Sequence, residues 1–154
     1  MRSSRMLFFA SWIILLVVLG AITLLSLQSM RIAYTGTRDN ITTQYTLDQV
    51  REAGGEEAVK AIKGRRATAA TWALGYALLG IAVVWVPYRR GERWAWWALL
   101  VSLGVSQLLS LARAVMLGTT FGLGAPGLIL AFALLGLLAG APRMFADRGD
   151  VVLE

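Results

Sequence analysis

The sequence predicts an all-α membrane protein: four transmembrane helices in an antiparallel bundle, with an amphipathic helix in the segment between helices 1 and 2. Three observations carry that expectation. Of the 154 residues, 57% are hydrophobic and only 16% charged, a balance far from that of soluble domains. Four runs approach the roughly 20 apolar residues that a helix needs to cross a bilayer, at about 7–27, 67–87, 94–117 and 121–141. The later connections are short, so residues 28–66 form the only extended polar segment. No stretch is left for a separate soluble domain, and residues 1–154 are expected to make a single membrane domain.

The first run follows Arg2 and Arg5, which resembles a secretory leader. It is longer than the usual apolar core of a leader and no small-x-small cleavage pattern follows Leu27, so an uncleaved first helix is expected. Within the polar segment, Thr46 and Gln49 of T-L-D-Q form a capping box, and Tyr45 and Val50 occupy the positions of a hydrophobic staple. A helix should therefore begin at Thr46. Leu47, Val50, Gly54, Ala58 and Ile62 recur at helical spacing and mark its apolar stripe, with Leu47, Val50, Ala58 and Ile62 as the partner-facing positions. Glu56 and Lys60 stand at i,i+4, the favourable orientation for an ion pair. Two adjacent glycines, Gly54 and Gly55, each cost about 1 kcal/mol relative to alanine and predict a break or hinge. No proline separates this helix from the second span, so the two are expected to be continuous. The stripe needs a cover, which its own bundle, the membrane surface or a partner protein would each supply.

The second span carries a strip of small residues, Ala69, Ala73, Ala77 and Gly80, and the fourth carries Gly136 and Gly140 in G-x-x-x-G spacing; both suit close helix packing, within the bundle or between copies. Between the second and third spans lies Y-R-R-G-E-R-W-A-W-W. Pro87 ends the second span, Gly91 permits the reversal, and Tyr88, Arg89, Arg90, Arg93, Trp94, Trp96 and Trp97 are expected as anchors at the membrane interface. The rival reading of this stretch is a site for an acidic ligand. This turn, with the hydropathy plan around it, resembles a pattern of small bacterial four-helix integral membrane proteins of unknown function. The resemblance implies the fold and a bacterial inner membrane, and no active site.

The third span holds the most suggestive polar pattern. Ser102, Ser106, Ser110 and Arg113 recur at intervals of four, four and three, with Gln107 beside them, and so share one narrow arc. Association with other helices is a sufficient explanation of such a stripe; the second reading is a ligand- or partner-binding site. Arg113 is the one charge inside a span, although it stands some 19 residues beyond Trp94, roughly 28 Å along the helix, where it can snorkel to the far interface.

Composition excludes several functions. The chain contains no Cys and no His, so disulfides, thiolate catalysis and zinc sites of the usual kind are ruled out, haem loses its commonest ligand, and neither a metal nor a cofactor is expected. No span contains an acid or a lysine, which disfavours proton-coupled transport. The net charge is +6, but the arginines flank apolar runs and suit lipid head groups better than nucleic acid. The triplets Asn40-Ile41-Thr42 and Arg148-Gly149-Asp150 are taken as chance matches. Arginine and lysine near helix ends number seven on each side, but those of the termini and the short turn are concentrated in three short segments whereas those of residues 28–66 are diluted by five acids, which favours both termini in the cytoplasm and residues 28–66 outside. The expected function is that of a non-catalytic accessory, structural or assembly subunit whose partners are the lipid bilayer and other membrane subunits or a second copy. The alternative is a small-molecule or lipid carrier or pore built on the stripe of helix 3.

Overall fold

The computed structural model describes residues 2–36, 46–118 and 123–145. Its elements run α1 (Arg2–Thr35), α2 (Leu47–Val83), a wide π-type turn (Val84–Tyr88), α3 (Arg93–Leu117) and α4 (Gly124–Phe145). No strand occurs among the described residues. All four helices are long and apolar enough to cross a membrane, as the hydropathy pattern requires. The fourth begins at Gly124, later than expected, and places Pro126 in its first turn, where the missing N–H breaks no helical bond. The chain divides into two compact units, one of Met1–Val18 with Gly80–Glu154, the other of Leu19–Leu79.

In the first unit the core is built by stripes at helical spacing. Phe8, Ser11, Leu15 and Val18 are buried on α1; Ala95, Trp96, Leu99 and Leu103 on α3; Ala133, Gly136, Leu137, Gly140 and Met144 on α4. The α4 positions recur every three or four residues, so one face of that helix is spent on contact. Between α2 and α3, Pro87 has no N–H to give to the carbonyl one turn back, and its ring crowds that carbonyl. The backbone widens accordingly, with Arg89 N bonding Val84 O at 3.3 Å and Glu92 N bonding Pro87 O at 3.1 Å. Gly91, at φ +78°, then reverses the chain.

The second unit pairs the later part of α1 with most of α2. Gly36, at φ +63°, ends α1 by donating its N–H back to Ile32 O at 3.0 Å. A side chain at that position would meet Lys63 Nζ at 2.8 Å, so an ammonium group stands at the negative end of α1. Arg66 Nε donates to Ser29 Oγ at 3.2 Å and ties the same two helices together.

The start of α2 matches its sequence signals in part. Thr46 N donates to Gln49 Oε1 at 2.9 Å and Gln49 N to Thr46 Oγ1 at 3.3 Å, which is the reciprocal capping box. Tyr45 of the staple lies outside the described residues. The break falls at Gly55, at φ 71° and ψ −175°, and α2 otherwise continues into the span. That break shifts the helical phase. Leu47 and Val59 are buried, whereas Val50, Ala58 and Ile62 are only half-buried, so Val59 replaces Ala58 in the stripe. The expected Glu56–Lys60 pair does not form: Lys60 reaches Glu57 at 2.7 Å, and Glu56 receives Arg51 at 2.6 Å across the break. Higher on α2 the buried small residues are Ala70 and Ala77, while Ala69 is exposed and Ala73 and Gly80 are half-buried. The close-packing strip thus lies one residue round the helix from its expected start.

Candidate functional site

The wide turn at Pro87 drives Tyr88 into the first unit, where it is fully buried. Its phenol oxygen lies 2.5 Å from Ser11 Oγ, and Ser11 Oγ donates to the Gly136 carbonyl at 2.6 Å. Ser11 has one proton, and the carbonyl can only accept. The phenol must therefore donate in the Ser11–Tyr88 bond. The knot closes because α4 presents no side chains there: a Cβ on Gly140 would overlap the Tyr88 hydroxyl and approach Ser11 Oγ to 2.6 Å. Gly136 is likewise tight, with Leu15 and Ile14 atoms 3.1–3.2 Å from where its Cβ would be. The two α4 glycines expected as packing positions therefore act within the chain, against α1 and the turn.

Around the knot lies a collar of aromatic rings and arginines. Phe8 stacks on Tyr88 with centroids 5.7 Å apart and planes 8° from parallel, and the Arg143 guanidinium sits 4.4 Å above the Phe8 centroid. The Arg89 guanidinium lies 4.8 Å from the Trp12 ring and 4.6 Å from the Trp85 ring, the two indoles meeting nearly at right angles. Arg93 Nε donates to Met144 O at 3.0 Å. The indole of Trp96 donates to Leu137 O at 2.8 Å and packs edge-on against Trp97 and Phe145. Trp94 donates to Glu92 Oε2 at 2.6 Å.

The set expected as interface anchors is thereby divided. Trp94 and Trp97 are exposed, as are Arg89, Arg90 and Arg93, whereas Tyr88 and Trp96 are buried. Burial follows from the partners of their polar tips, a serine hydroxyl for the phenol and a backbone carbonyl for the indole, which let both rings leave the surface. Ser11, Trp12, Trp85 and Phe8 carry no sequence motif, and only the position of Tyr88 beside Pro87 signals that this tyrosine leaves the helical course.

The stripe on α3 has a different character. Ser102, Ser106 and Ser110 are half-buried, and their hydroxyls donate to carbonyls of their own helix, Leu99 O at 3.4 Å, Leu103 O at 3.1 Å and Ser106 O at 2.9 Å. Gln107 Nε2 reaches Ser106 Oγ at 3.3 Å. Arg113 is exposed near the end of α3. The structure thus keeps the serines on one arc but directs their protons inward to the backbone. In the second unit, Tyr76 Oη is buried without a hydrogen-bond partner among the described residues.

Chemically, the knot couples two weak acids to a carbonyl and ties α1, α4 and the wide turn together. The collar offers fixed guanidinium groups. No family model matches the chain, and no curated protein or solved structure matches it.

Proposed function

We propose that this membrane protein is a non-catalytic accessory or assembly subunit of a larger membrane complex. One observation carries the reading: the hydroxyls of the α3 stripe and of the knot are spent on the chain itself. The three α3 serines bond their own carbonyls, and Ser11 and Tyr88 close on each other and on Gly136 O. A carrier built on the α3 stripe would need those hydroxyls to abandon their present acceptors before they could donate to a substrate. Outward, the spans show apolar surface; only 12% of the most apolar stretch of α3 is buried within the chain. Lipid and partner helices are the covers that such a surface accepts. The charged start of α2, with Asp48, Arg51, Glu52, Glu56 and Glu57 exposed, provides a polar face for a partner outside the bilayer.

The location that goes with this proposal is a bacterial inner membrane, with both termini in the cytoplasm and the start of α2 outside. Because the chain has no cysteine, single thiols at Arg90 and Glu57, both exposed, report sidedness directly: the first should be shielded from an impermeant reagent in intact cells and the second labelled. Native mass spectrometry of the protein extracted from its source membrane tests the role. A second polypeptide in fixed stoichiometry is expected; a chain that leaves the membrane alone, or only with lipid, refutes it.

A further inference from the structure

The collar of the first unit contains more than orientation signals. Trp12 and Phe8 are four residues apart on α1 and so share one face, with Cβ atoms about 5–6 Å apart. Each carries an arginine from another element: Arg89, just after the wide turn, on Trp12 and Trp85, and Arg143, from the last turn of α4, on Phe8. Neither arginine has a carboxylate within 4.0 Å or donates a hydrogen bond among the described residues, where the ion pairs belong to Arg51 and Lys60. Glu92, the acid in the same turn, accepts the indole N–H of Trp94 instead. A guanidinium held against aromatic rings has five N–H donors and meets no hydrogen-bond acceptor there, so donors are left for an anion. Two cations are thus held in place with their donors open, which suits the bidentate recognition of phosphate oxygens.

The surroundings specify the kind of phosphate. Trp85, Trp94 and Trp97 are each more than half exposed at this end, as aromatic rings are at head-group depth. Met6, Leu7 and Phe9, exposed on α1 beside the collar, offer an apolar wall for acyl chains. We propose that Arg89 and Arg143, fixed on Trp12, Trp85 and Phe8, form a binding site for the phosphate of an anionic phospholipid. The site is independent of whether a protein partner exists. The aromatic seats hold the guanidinium groups in position before lipid arrives, and so less side-chain freedom is lost on binding.

The test uses the full chain in nanodiscs of phosphatidylcholine with a minority of phosphatidylglycerol, its retained lipids weighed by native mass spectrometry. The unaltered protein should retain phosphatidylglycerol selectively. Arg89→Gln with Arg143→Gln should lower that retention roughly tenfold, the scale of losing hydrogen bonds to a charged group. Arg31→Gln with Arg65→Gln removes the same charge from exposed positions in the second unit and should leave retention unchanged. Equal loss in both pairs, or no loss in the first, overturns the site. Arg89→Lys with Arg143→Lys keeps both charges but loses the guanidinium fork and its contact with the rings, and should drop retention several-fold; it decides the matter if the glutamine pair loses its helical circular dichroism. Undiminished retention by the lysine pair overturns the role of the aromatic seats. Inorganic phosphate should not displace the lipid beyond the effect of chloride at equal ionic strength; displacement assigns the site to free phosphate and overturns the lipid.

Discussion

Replacing Gly140 by alanine tests the knot most directly. The added methyl would overlap the Tyr88 hydroxyl, lie 2.6 Å from Ser11 Oγ and 3.1 Å from Tyr88 Cζ. None of these atoms has an easy retreat, since Tyr88 is fully buried and lies under Phe8, and Ser11 is held to Gly136 O. Overpacking of this kind costs about 1–3 kcal/mol, and the interhelical hydrogen bond that must break adds about 0.6–2 kcal/mol. Together Gly140→Ala should cost about 2–5 kcal/mol, read as a fall in the unfolding midpoint in a detergent titration followed by tryptophan fluorescence. Gly136→Ala is the comparison: its neighbours are Leu15 and Ile14 side-chain atoms at 3.1–3.2 Å, which can shift by a few tenths of an ångström, so it should cost about 1 kcal/mol or less. In a Tyr88→Phe, Ser11→Ala background the hydroxyls are gone, and Gly140→Ala should cost at least about 1 kcal/mol less than in the native chain, within the coupling expected of touching residues. The reasoning fails if the two glycine substitutions cost the same, or if the cost of Gly140→Ala is undiminished in the altered background.

Three further outcomes follow from the same geometry. Trp96→Phe removes a donor to Leu137 O from a buried ring and should cost about 1–2 kcal/mol, while Trp97→Phe, at an exposed position, should stay within about 0.5 kcal/mol in the same titration. Gly55→Ala places a side chain at φ 71° and ψ −175°, a region essentially confined to glycine at a cost of about 1–3 kcal/mol; the distance between spin labels at positions 52 and 60 should change, and an unaltered distribution would show that the break does not depend on glycine. Ser106→Ala with Ser110→Ala deletes hydroxyls bonded only to their own helix and should alter stability by less than about 0.5 kcal/mol; a larger loss would mean that these serines hold another helix.

Much of the fold was legible because membrane helices are announced by composition over about 20 residues, a signal that local detail cannot erase. The capping box and the break at Gly55 were legible for a related reason, each depending on residues close in sequence. Errors began where one local event altered phase. The break at Gly55 turned Val59 rather than Ala58 into the stripe, and it left Arg51, not Lys60, within reach of Glu56. Neither shift can be read from a continuous helical wheel, because the wheel assumes the regularity that the glycine interrupts.

The knot lay further beyond sequence reasoning. Ser11 and Tyr88 are separated by 77 positions, and Ser11 and Gly136 by 125, so no periodicity connects them. A tyrosine next to arginines at the end of a span ordinarily reads as a head-group anchor, and that expectation weighs the ring's amphipathic character without knowing whether an acceptor waits inside. What reverses it is a combination: Pro87 forces a widened turn that carries the ring inward, and Gly140 leaves the space that the phenol enters. Each residue has its own ordinary explanation, a helix terminator for the one and a packing glycine for the other, and only together do they bury a polar ring. The same turn presents Arg89 to Trp12 and Trp85, so the force that locks the helices also sets the first cation of the phosphate cradle. Relaxing the turn with Pro87→Ala, which restores an N–H to the helix, should therefore disturb both at once, lowering the unfolding midpoint and the selective retention of phosphatidylglycerol in one variant. Loss of stability with lipid retention intact would show that the collar is positioned by α1 and α4 without the turn.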